Sequence, residues 1–289
     1  MFRLFVHGML PTLELLCFSV PMIKFALVAD SHLGPEKFYE GQIRKLSRNT
    51  LPYLSELREE LVAVHKPNFV VQLGDLIEDS SSQIDDSSNY KLGLNCFDGL
   101  PMPVLNVIGN HDQVHLSDSD LCKLLRNERL YYSQDIGAMH CVVLFSSSIE
   151  HTDITISAEQ RLWLQNDLAA TDKPTLVFLH HPLDDQNLKG NVWFEKYPDY
   201  CFVQERHQVR EILSASGKVC AVFNGHVHRN NLSTIDGIHY ITVQSLVEKV
   251  GEPDVASRAF ATATIDGSRL ILDVHGEDAV QYDVALRLP

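Results

Sequence analysis

The chain has 289 residues, of which 45% are hydrophobic and 21% are charged. This composition is typical of a globular protein whose core is large enough to need no disulfides. Its 24 basic and 38 acidic residues leave a net charge of −14, which argues against long nucleic acid as a partner.

Apolar strand-like runs alternate with helical patterns along the chain, which predicts an α/β fold. The predicted strands are 23–29, 69–73, 103–107, 131–136, 140–145, 175–179 and 218–223. Two Asp-Gly pairs, 236–237 and 266–267, lie between alternating apolar residues and indicate hairpin turns. The C-terminal third is therefore predicted to consist mostly of antiparallel strands.

Three helices are predicted between these strands. The first has apolar residues at helical spacing, at positions 43, 46, 54, 57, 61 and 64, and Pro52 marks a kink or a restart. Ser157 and Gln160 form a capping-box pattern that opens the second helix, which runs through Leu168. The third helix covers 203–213. Segments 78–89, 184–200 and 248–257 are predicted loops, and because none is long enough to link domains, residues 22–289 are expected to form one domain.

Residues 1–21 precede the first strand and weakly resemble a signal peptide, with Arg3 followed by the mostly apolar LPTLELLCFSV. Pro11 and Glu14 interrupt this stretch, no small-residue cleavage site follows, and the stretch is too short to span a bilayer. An over-extended start or an N-terminal arm is therefore favoured over a secretion signal. No C-x-x-C pair occurs among the six cysteines, which favours reduced thiols in a cytoplasmic protein without a membrane partner.

Residues that can bind metals follow five of the predicted strands. The five blocks are Asp30-Ser31-His32, Gly74-Asp75 with Glu78, Gly109-Asn110-His111-Asp112, His180-His181 and Gly225-His226-Val227-His228. One block alone is weak evidence, but five in this order are specific, because ligand sites of open α/β sheets lie beyond the carboxyl ends of the strands. Carboxylates, imidazoles and one carboxamide suit a hard or borderline divalent ion, and the lack of a thiolate disfavours structural zinc. The other histidines lack this context and are expected to be structural: His7, His65, His115, His140, His151, His207, His239 and His275.

These blocks resemble the signature of the calcineurin-like metallophosphoesterase superfamily, which is D-x-H, G-D-x-x-[D/E/N], G-N-H-[D/E], H and G-H-x-H. The resemblance covers nearly the whole chain after Met22. It implies two mixed β-sheets packed face to face with helices outside. It also implies a phosphoester hydrolase with two divalent metal ions, for which Mn, Fe and Zn are all suitable.

The resemblance also implies a role for each matched residue. One ion would be held by Asp30, His32, Asp75 and His228, and the other by Asp75, Asn110, His180 and His226. Asp75 would bridge the two ions, and His111 would be the catalytic residue beside the scissile phosphate. In family members with Asp at the position of Glu78, that residue can orient the histidine of G-N-H, and whether the longer Glu78 does so is left open. Asp112 and His181 are further candidates for supporting the site or contacting substrate.

The chemistry of phosphoester hydrolysis agrees with these roles. Two metal ions clamp the phosphoryl oxygens, generate a nucleophile near neutral pH and stabilise the leaving oxygen. A bridging carboxylate is needed to hold two cations close together, and Asp75 supplies it. The neutral Asn110 limits the negative charge of the site, so that it can attract an anion in spite of the acidic surface. His111 can donate a proton to the departing alkoxide.

The substrate is less well defined than the chemistry. The layout of 225–260 is similar to that of manganese-dependent ADP-ribose/CDP-alcohol pyrophosphatases, and other relatives act on cyclic nucleotides or glycerophosphodiesters. In the loop NVWFEKYPDY, Trp193 and Tyr197 are candidates for stacking a base, unless the loop folds over its own aromatic side chains. A small phosphodiester or nucleotide-type pyrophosphate is therefore the expected substrate. The alternatives are a phosphomonoesterase or protein phosphatase, and a non-catalytic scaffold, which the complete set of ligand positions disfavours.

Overall fold

Two six-stranded mixed β-sheets form the centre of the protein. The structure is a computed structural model, and it describes residues 21–149 and 151–289. In chain order the strands are β1 (Ile23–Val28), β2 (Phe38–Tyr39), β3 (Gln42–Ile43), β4 (Phe69–Gln72), β5 (Val104–Asn106), β6 (Tyr132–Ile136), β7 (Met139–Val143), β8 (Ser147–Ile149), β9 (Thr152–Thr155), β10 (Thr175–Phe178), β11 (Val219–Asn224), β12 (Asn231–Ile235), β13 (Ile238–Thr242), β14 (Lys249–Gly251), β15 (Val255–Ala256), β16 (Phe260–Asp266), β17 (Arg269–His275) and β18 (Val280–Ala285). The first sheet has the order β18-β17-β16-β1-β4-β5, and the second has the order β12-β13-β11-β10-β7-β6.

Parallel strands occupy the part of each sheet that leads to the predicted site. Strands β1, β4 and β5 are parallel to one another, as are β7, β10, β11 and β13, whereas β6, β12 and β16 to β18 pair antiparallel with their neighbours. The parallel strands β4, β7, β10 and β11 are buried along their whole length, as continuous apolar runs of parallel sheets usually are. This architecture confirms the prediction of an α/β fold with two packed mixed sheets.

An aromatic core joins the inner faces of the two sheets. Phe25 stacks on Phe69 in the first sheet with ring centroids 5.0 Å apart, and Phe178 stacks on Phe223 in the second at 5.4 Å. Phe25 also meets Phe223 edge-to-face at 5.4 Å, which links the sheets directly. All four rings are fully buried, so the strands that carry the site stand on a rigid, well-packed base.

Within the described residues, five α-helices cover the outer faces. They are α1 (Thr50–Glu60), α2 (Gln83–Asn95), α3 (Asp118–Leu125), α4 (Ala158–Ala170) and α5 (Arg206–Ser216). Apolar residues of α1, α2 and α3 pack on the outer face of the first sheet, and those of α4 and α5 pack on the second. Among the helices in the described part of the chain, none has both the length and the apolar character needed to cross a membrane.

The structure corrects several predicted boundaries. The first helix begins at Thr50, not near Ile43, and ends in a π turn over Leu61–His65. Pro52 lies in the first turn of α1, where its missing N–H has no intrahelical partner to lose, so it causes no kink. The predicted loop 78–89 was wrong in part, because α2 begins at Gln83.

Other predicted features are confirmed or completed. Both Asp-Gly pairs form hairpin turns, between β12 and β13 and between β16 and β17. Ser157 caps α4 by accepting from the backbone N–H of Gln160, but the Gln160 side chain bonds the backbone of Phe145 and does not complete the capping box. The predicted loop 248–257 contains the short hairpin of β14 and β15. The predicted arm, residues 1–21, lies outside the described residues except for Pro21.

Candidate metal centre

Sharp turns follow the strands that carry the candidate ligands. Five of these ligands have a left-handed backbone: Asp30 (φ 52°), His32 (φ 46°), Asp75 (φ 50°), His226 (φ 68°) and His228 (φ 54°). This conformation is uncommon for residues other than glycine and costs free energy, and it is found preferentially at functional sites. Here it bends each chain segment back over the end of its strand, so that the side chains converge in one crevice.

Two glycines of the sequence blocks are required by close packing against candidate ligands. A Cβ atom added at Gly109 would lie 2.2 Å from Asp75 Oδ1, and one added at Gly225 would lie 2.5 Å from Asp30 Oδ2. Neither distance is compatible with a side chain. The glycines in the G-N-H and G-H-x-H blocks therefore let neighbouring turns approach one another and bring the ligands together.

His32 and His228 face each other, with their Nε2 atoms 3.0 Å apart. Each Nδ1 faces a carboxylate, since His32 Nδ1 lies 3.0 Å from Glu78 Oε2 and His228 Nδ1 lies 2.7 Å from Glu248 Oε2. An ionised carboxylate can only accept, so His228 Nδ1 carries a proton toward Glu248, and the Nε2 atoms of both rings point into the crevice. Two Nε2 atoms this close require either a proton or a metal ion between them. Asp30 Oδ1, 3.4 Å from His228 Nε2, adds negative charge at the same place.

His180 and His226 form a second pair of the same kind, with His180 Nε2 and His226 Nδ1 3.2 Å apart. Their outer nitrogens donate to backbone carbonyls, His180 Nδ1 to Leu73 O and His226 Nε2 to Tyr200 O, each at 2.9 Å. The amide oxygen of Asn110 lies 3.2 Å from His180 Nε2. Two nitrogens bound to one metal at 2.0–2.1 Å would be about 3 Å apart, so both pairs have the spacing of a metal site.

Asp75 lies between the two pairs. Its Oδ2 atom is 3.8 Å from His32 Nε2 and 3.3 Å from His180 Nε2, and its Oδ1 atom accepts the backbone N–H of His111 at 2.8 Å. One carboxylate oxygen is therefore adjacent to both sets of ligands while the other is fixed by the backbone. The structure brings together all the residues predicted to hold metals: Asp30, His32, Asp75, Asn110, His180, His226 and His228.

The electrostatics of this cluster favour positive charge. Burial lowers the pKa of His228, but Asp30 and Glu248 together outweigh burial and raise the pKa to about 10. Burial likewise lowers the pKa of His180, but Asp75, Asp30 and the Leu73 carbonyl together outweigh it and raise the pKa to about 9. Protonation of these histidines adds positive charge to the cluster, and bound divalent ions would add more. Imidazole nitrogens together with carboxylate and amide oxygens suit Mn²⁺, Fe²⁺ or Zn²⁺.

His111 is held by Asp79, a residue that the sequence reasoning did not select. His111 Nδ1 lies 2.6 Å from Asp79 Oδ1 and 3.6 Å from Glu78 Oε1. Glu78 instead points to His32 and to Lys45, whose Nζ atom is 2.5 Å from Glu78 Oε2 and 3.3 Å from His111 Nε2. The orienting contact considered for Glu78 is thus made by the next residue, and the adjacent acidic pair was the available signal.

Asp112 and His181 are completely buried and do not line the cavity above the cluster, so the structure favours support of the site among the two predicted roles. The Asp112 carboxylate accepts the backbone N–H groups of Ile77 at 3.1 Å and Gly109 at 2.9 Å, and so ties two ligand-bearing turns together. Burial, reinforced by the charge of Asp75, raises the pKa of Asp112 to about 8. His181 Nδ1 lies 2.7 Å from Ser146 Oγ. His181 therefore packs beneath the candidate ligands, on the side away from the cavity, and not against the cavity itself.

A cavity of about 440 Å³ opens over the candidate ligands. Its wall includes the aromatic residues Phe38, Tyr39, Trp193, Phe194, Tyr197 and Tyr200, together with Lys37 and Lys45. The loop 184–200 therefore buries some of its aromatic side chains and exposes others at the cavity, and base stacking stays a prediction. Phe194 is buried against His226, whereas Tyr197 is 51% exposed at the rim. The indole N–H of Trp193 lies 3.3 Å from both oxygens of Glu248, the carboxylate that holds His228.

His151, predicted to be structural, lines the same cavity. Its Nδ1 atom lies 2.7 Å from Asn110 Nδ2, and its ring centroid is 4.6 Å from that of His111. His151 follows no apolar strand and belongs to no motif. The sequence therefore carried no signal for it.

Comparison with known proteins agrees with this geometry. The model of the calcineurin-like phosphoesterase family matches residues 23–230, which include all five blocks. The chain belongs to this family. This calcineurin-like phosphoesterase is therefore an enzyme that hydrolyses phosphoric esters, and its family uses a dinuclear metal centre.

Named relatives of this calcineurin-like phosphoesterase include phosphodiesterases. A probable cyclic nucleotide phosphodiesterase from Fibrobacter succinogenes is 26% identical over 215 residues, which are 73% of this chain and 75% of that protein. The glycerophosphodiester phosphodiesterase GpdQ from Enterobacter lignolyticus is 25% identical over 234 residues, 78% of each chain. The crystal structure of a dimetal phosphatase from Danio rerio has a TM-score of 0.74 and 18% identity, and covers 92% of this chain and 99% of that one. This last likeness shows the shared fold.

Proposed function

We propose that this calcineurin-like phosphoesterase uses two divalent metal ions to hydrolyse a small phosphodiester or a pyrophosphate of the nucleotide type. The observation that carries the proposal is the pairing of inward-facing histidine nitrogens, at 3.0 Å and 3.2 Å, with Asp75 Oδ2 beside both pairs. Such an arrangement leaves room for two cations that share one carboxylate. Two ions at that spacing supply a nucleophile near neutral pH and stabilise the attacking and leaving oxygens.

The proposed ligands divide into two sets that share Asp75. The first set is Asp30, His32, Asp75 and His228, and the second is Asp75, Asn110, His180 and His226. Only two carboxylates face four cationic charges in this arrangement. The centre would therefore keep a net positive charge and attract an anionic ester, although the chain as a whole carries −14.

His111 is proposed to donate the proton that the leaving oxygen requires. Asp79 accepts from Nδ1 at 2.6 Å, which fixes the ring and leaves Nε2 toward the cavity. Lys45 Nζ, 3.3 Å from His111 Nε2, places a cationic group at the same point. An ammonium ion there is well placed to stabilise a phosphoryl oxygen while His111 protonates the departing alkoxide.

The aromatic wall supports a nucleotide-type substrate. Tyr197 and Tyr200 stack on each other with ring centroids 5.6 Å apart, and their side chains are 51% and 42% exposed. Phe38, in strand β2, is 72% exposed. Exposed aromatic side chains beside an anion site provide flat surfaces for a base. A cavity of about 440 Å³ is in the range of small-molecule sites, which favours a nucleotide over a folded protein as substrate.

Hydrolysis assays with Mn²⁺-loaded protein test this proposal. We expect faster hydrolysis of bis-p-nitrophenyl phosphate than of p-nitrophenyl phosphate, and loss of both activities in Asn110→Ala. Cyclic nucleotides, ADP-ribose, CDP-alcohols and glycerophosphodiesters should then be compared by kcat/KM, with a nucleotide expected to be preferred. A preference for the monoester would show a phosphatase instead, and bound metal without any hydrolysis would show a scaffold.

A further inference from the structure

His151 holds the amide of Asn110 from the cavity side. It lies in the turn between β8 and β9, and its φ of 64° is in the left-handed region. A non-glycine residue keeps this conformation only where its surroundings stabilise it. The side-chain contact that His151 makes from this turn is between its Nδ1 and Asn110 Nδ2, at 2.7 Å.

The chemistry of this contact determines which ring nitrogen carries the proton. An amide nitrogen can only donate, so His151 Nδ1 must accept and Nε2 must carry the hydrogen. A nearby carboxylate agrees, because His151 Nε2 lies 4.0 Å from Oδ1 of Asp79. His151 is therefore an acceptor toward Asn110 and a donor toward the cavity.

The same contact selects one of two orientations of the Asn110 carboxamide. The two ends of a carboxamide have nearly the same shape, so packing alone does not distinguish them. With the nitrogen bonded to His151, the amide oxygen lies 3.2 Å from His180 Nε2, where a metal ligand is needed. The rotated amide would point N–H groups at the cation and its oxygen at the His151 lone pair. Within the part of the chain that the structure describes, His151 is the only hydrogen-bond partner of Asn110 Nδ2.

We propose that His151 is a positioning residue that holds the Asn110 oxygen toward the second metal ion. This inference rests on the proposed function, since it assumes that Asn110 is a metal ligand. Residues that orient metal ligands typically change metal affinity about 10- to 100-fold when they are replaced. The second ion should therefore bind more weakly without His151, whereas the ion held by His32 and His228 should be unaffected.

Two variants at this position separate the hydrogen bond from the backbone. His151→Gly removes the acceptor and is compatible with the left-handed φ, so the turn should keep its shape. His151→Asn also tolerates this backbone, and its side-chain oxygen can take the place of Nδ1. His207→Ala, at an exposed position on α5, is the control for loss of a histidine.

The test is isothermal titration calorimetry of metal-stripped protein with Mn²⁺. We expect His151→Gly to weaken, about 10- to 100-fold, the binding event that Asn110→Ala also weakens, and to leave the other event unchanged. His151→Asn should recover most of the affinity, and His207→Ala should match the wild type. In an Asn110→Ala background, His151→Gly should have no further effect, because there is no carboxamide left to orient.

Two outcomes would overturn the inference. One leaves the proposed metal centre intact, and the other overturns the metal centre as well. If Asn110→Ala weakens one event and His151→Gly does not weaken that event, the positioning role is wrong and the proposed metal centre stands. The same conclusion follows if His151→Gly weakens both events equally. If neither Asn110→Ala nor His151→Gly changes Mn²⁺ binding, the proposed metal centre itself is wrong, and the role of His151 with it.

Discussion

Replacing Asp79 with asparagine should slow the hydrolysis of esters with poor leaving groups. Asp79 Oδ1 accepts from His111 Nδ1 at 2.6 Å, and Lys37 contacts the other carboxylate oxygen of Asp79. Asparagine has the same shape and can still accept from Nδ1, but it carries no charge. The ring should therefore keep its position while it loses the stabilisation that a carboxylate gives to a proton-donating imidazole.

The size of the effect follows from the burial of the pair. The side chains of Asp79 and His111 are only 11% and 17% exposed, so solvent screens their interaction weakly. A hydrogen bond to a charged group contributes about 1.5–3 kcal/mol. At about 1.4 kcal/mol for each factor of ten, kcat should fall about 10- to 150-fold on a glycerophosphodiester or a nucleotide diester. The loss on bis-p-nitrophenyl phosphate should be less than about threefold, because p-nitrophenolate leaves without a proton.

The assay compares kcat for both substrates in Asp79→Asn, His111→Ala and the double variant, with metal content measured for each. His111→Ala should lose roughly 10²- to 10⁴-fold on the poor leaving group. Adding Asp79→Asn to it should cause little further loss, because the ring is already absent. Equal losses on the two substrates, or losses that multiply in the double variant, would refute the reasoning. A fall in metal content of Asp79→Asn would instead make Asp79 part of the metal centre.

Three further results are expected. Tyr197→Ala should raise KM for a nucleotide roughly 5- to 150-fold through lost base stacking and leave turnover of bis-p-nitrophenyl phosphate unchanged, and equal losses on both would make the loop purely structural. Gly109→Ala should lose bound metal while keeping its far-ultraviolet circular dichroism spectrum, because its Cβ would lie 2.2 Å from Asp75 Oδ1, and full metal content would contradict this. The hydrogen bond to Asp167 raises the pKa of His140 above 6.5, so its stabilisation is complete below that pH and is lost as the pH rises through the folded-state pKa. His140→Gln should therefore lower the free energy of unfolding in urea more at about pH 6 than at about pH 9, and equal losses would refute this assignment.

The candidate ligands could be predicted from the sequence because each follows an apolar strand within a few residues. The strands β1, β4, β10 and β11 are recognisable as buried runs, and parallel strands deliver their carboxyl ends to one edge of the sheets. The signal is therefore local for each residue, and the fold alone brings the blocks together.

The residues around the ligands could not be predicted in the same way, because their contacts are distant in sequence. Asp79 is 32 residues from His111, Lys45 is 66 residues from His111, and His151 is 41 residues from Asn110. Lys45 and His151 do not stand at the end of an apolar strand, and the local signal for Asp79 is its place beside Glu78. Their partners are determined by how separate turns meet over the sheets, and a single sequence does not encode that in a local pattern.

The first part of helix α2, 83–89, was predicted as a loop because the helix lacks an apolar stripe. It buries only Asp86, Tyr90 and Gly93, and its sequence is rich in Ser and Asp. The signal that identifies its start is the N-cap, where the Ser82 side chain accepts the backbone N–H of Asp85. Asp86 is buried because it accepts hydrogen bonds from Ser80, a feature that apolar periodicity does not detect.

The number of metal ions bound by the wild type and by Asp75→Asn tests the dinuclear centre most directly. Asp75 Oδ2 is the only carboxylate oxygen proposed to contact both ions, at 3.8 Å from His32 Nε2 and 3.3 Å from His180 Nε2. Elemental analysis after Mn²⁺ loading and dialysis should give about two ions per chain for the wild type, and reduced occupancy of both sites in Asp75→Asn. A wild type that binds one ion or none, or an Asp75→Asn variant that loses one ion and fully retains the other, would contradict the account.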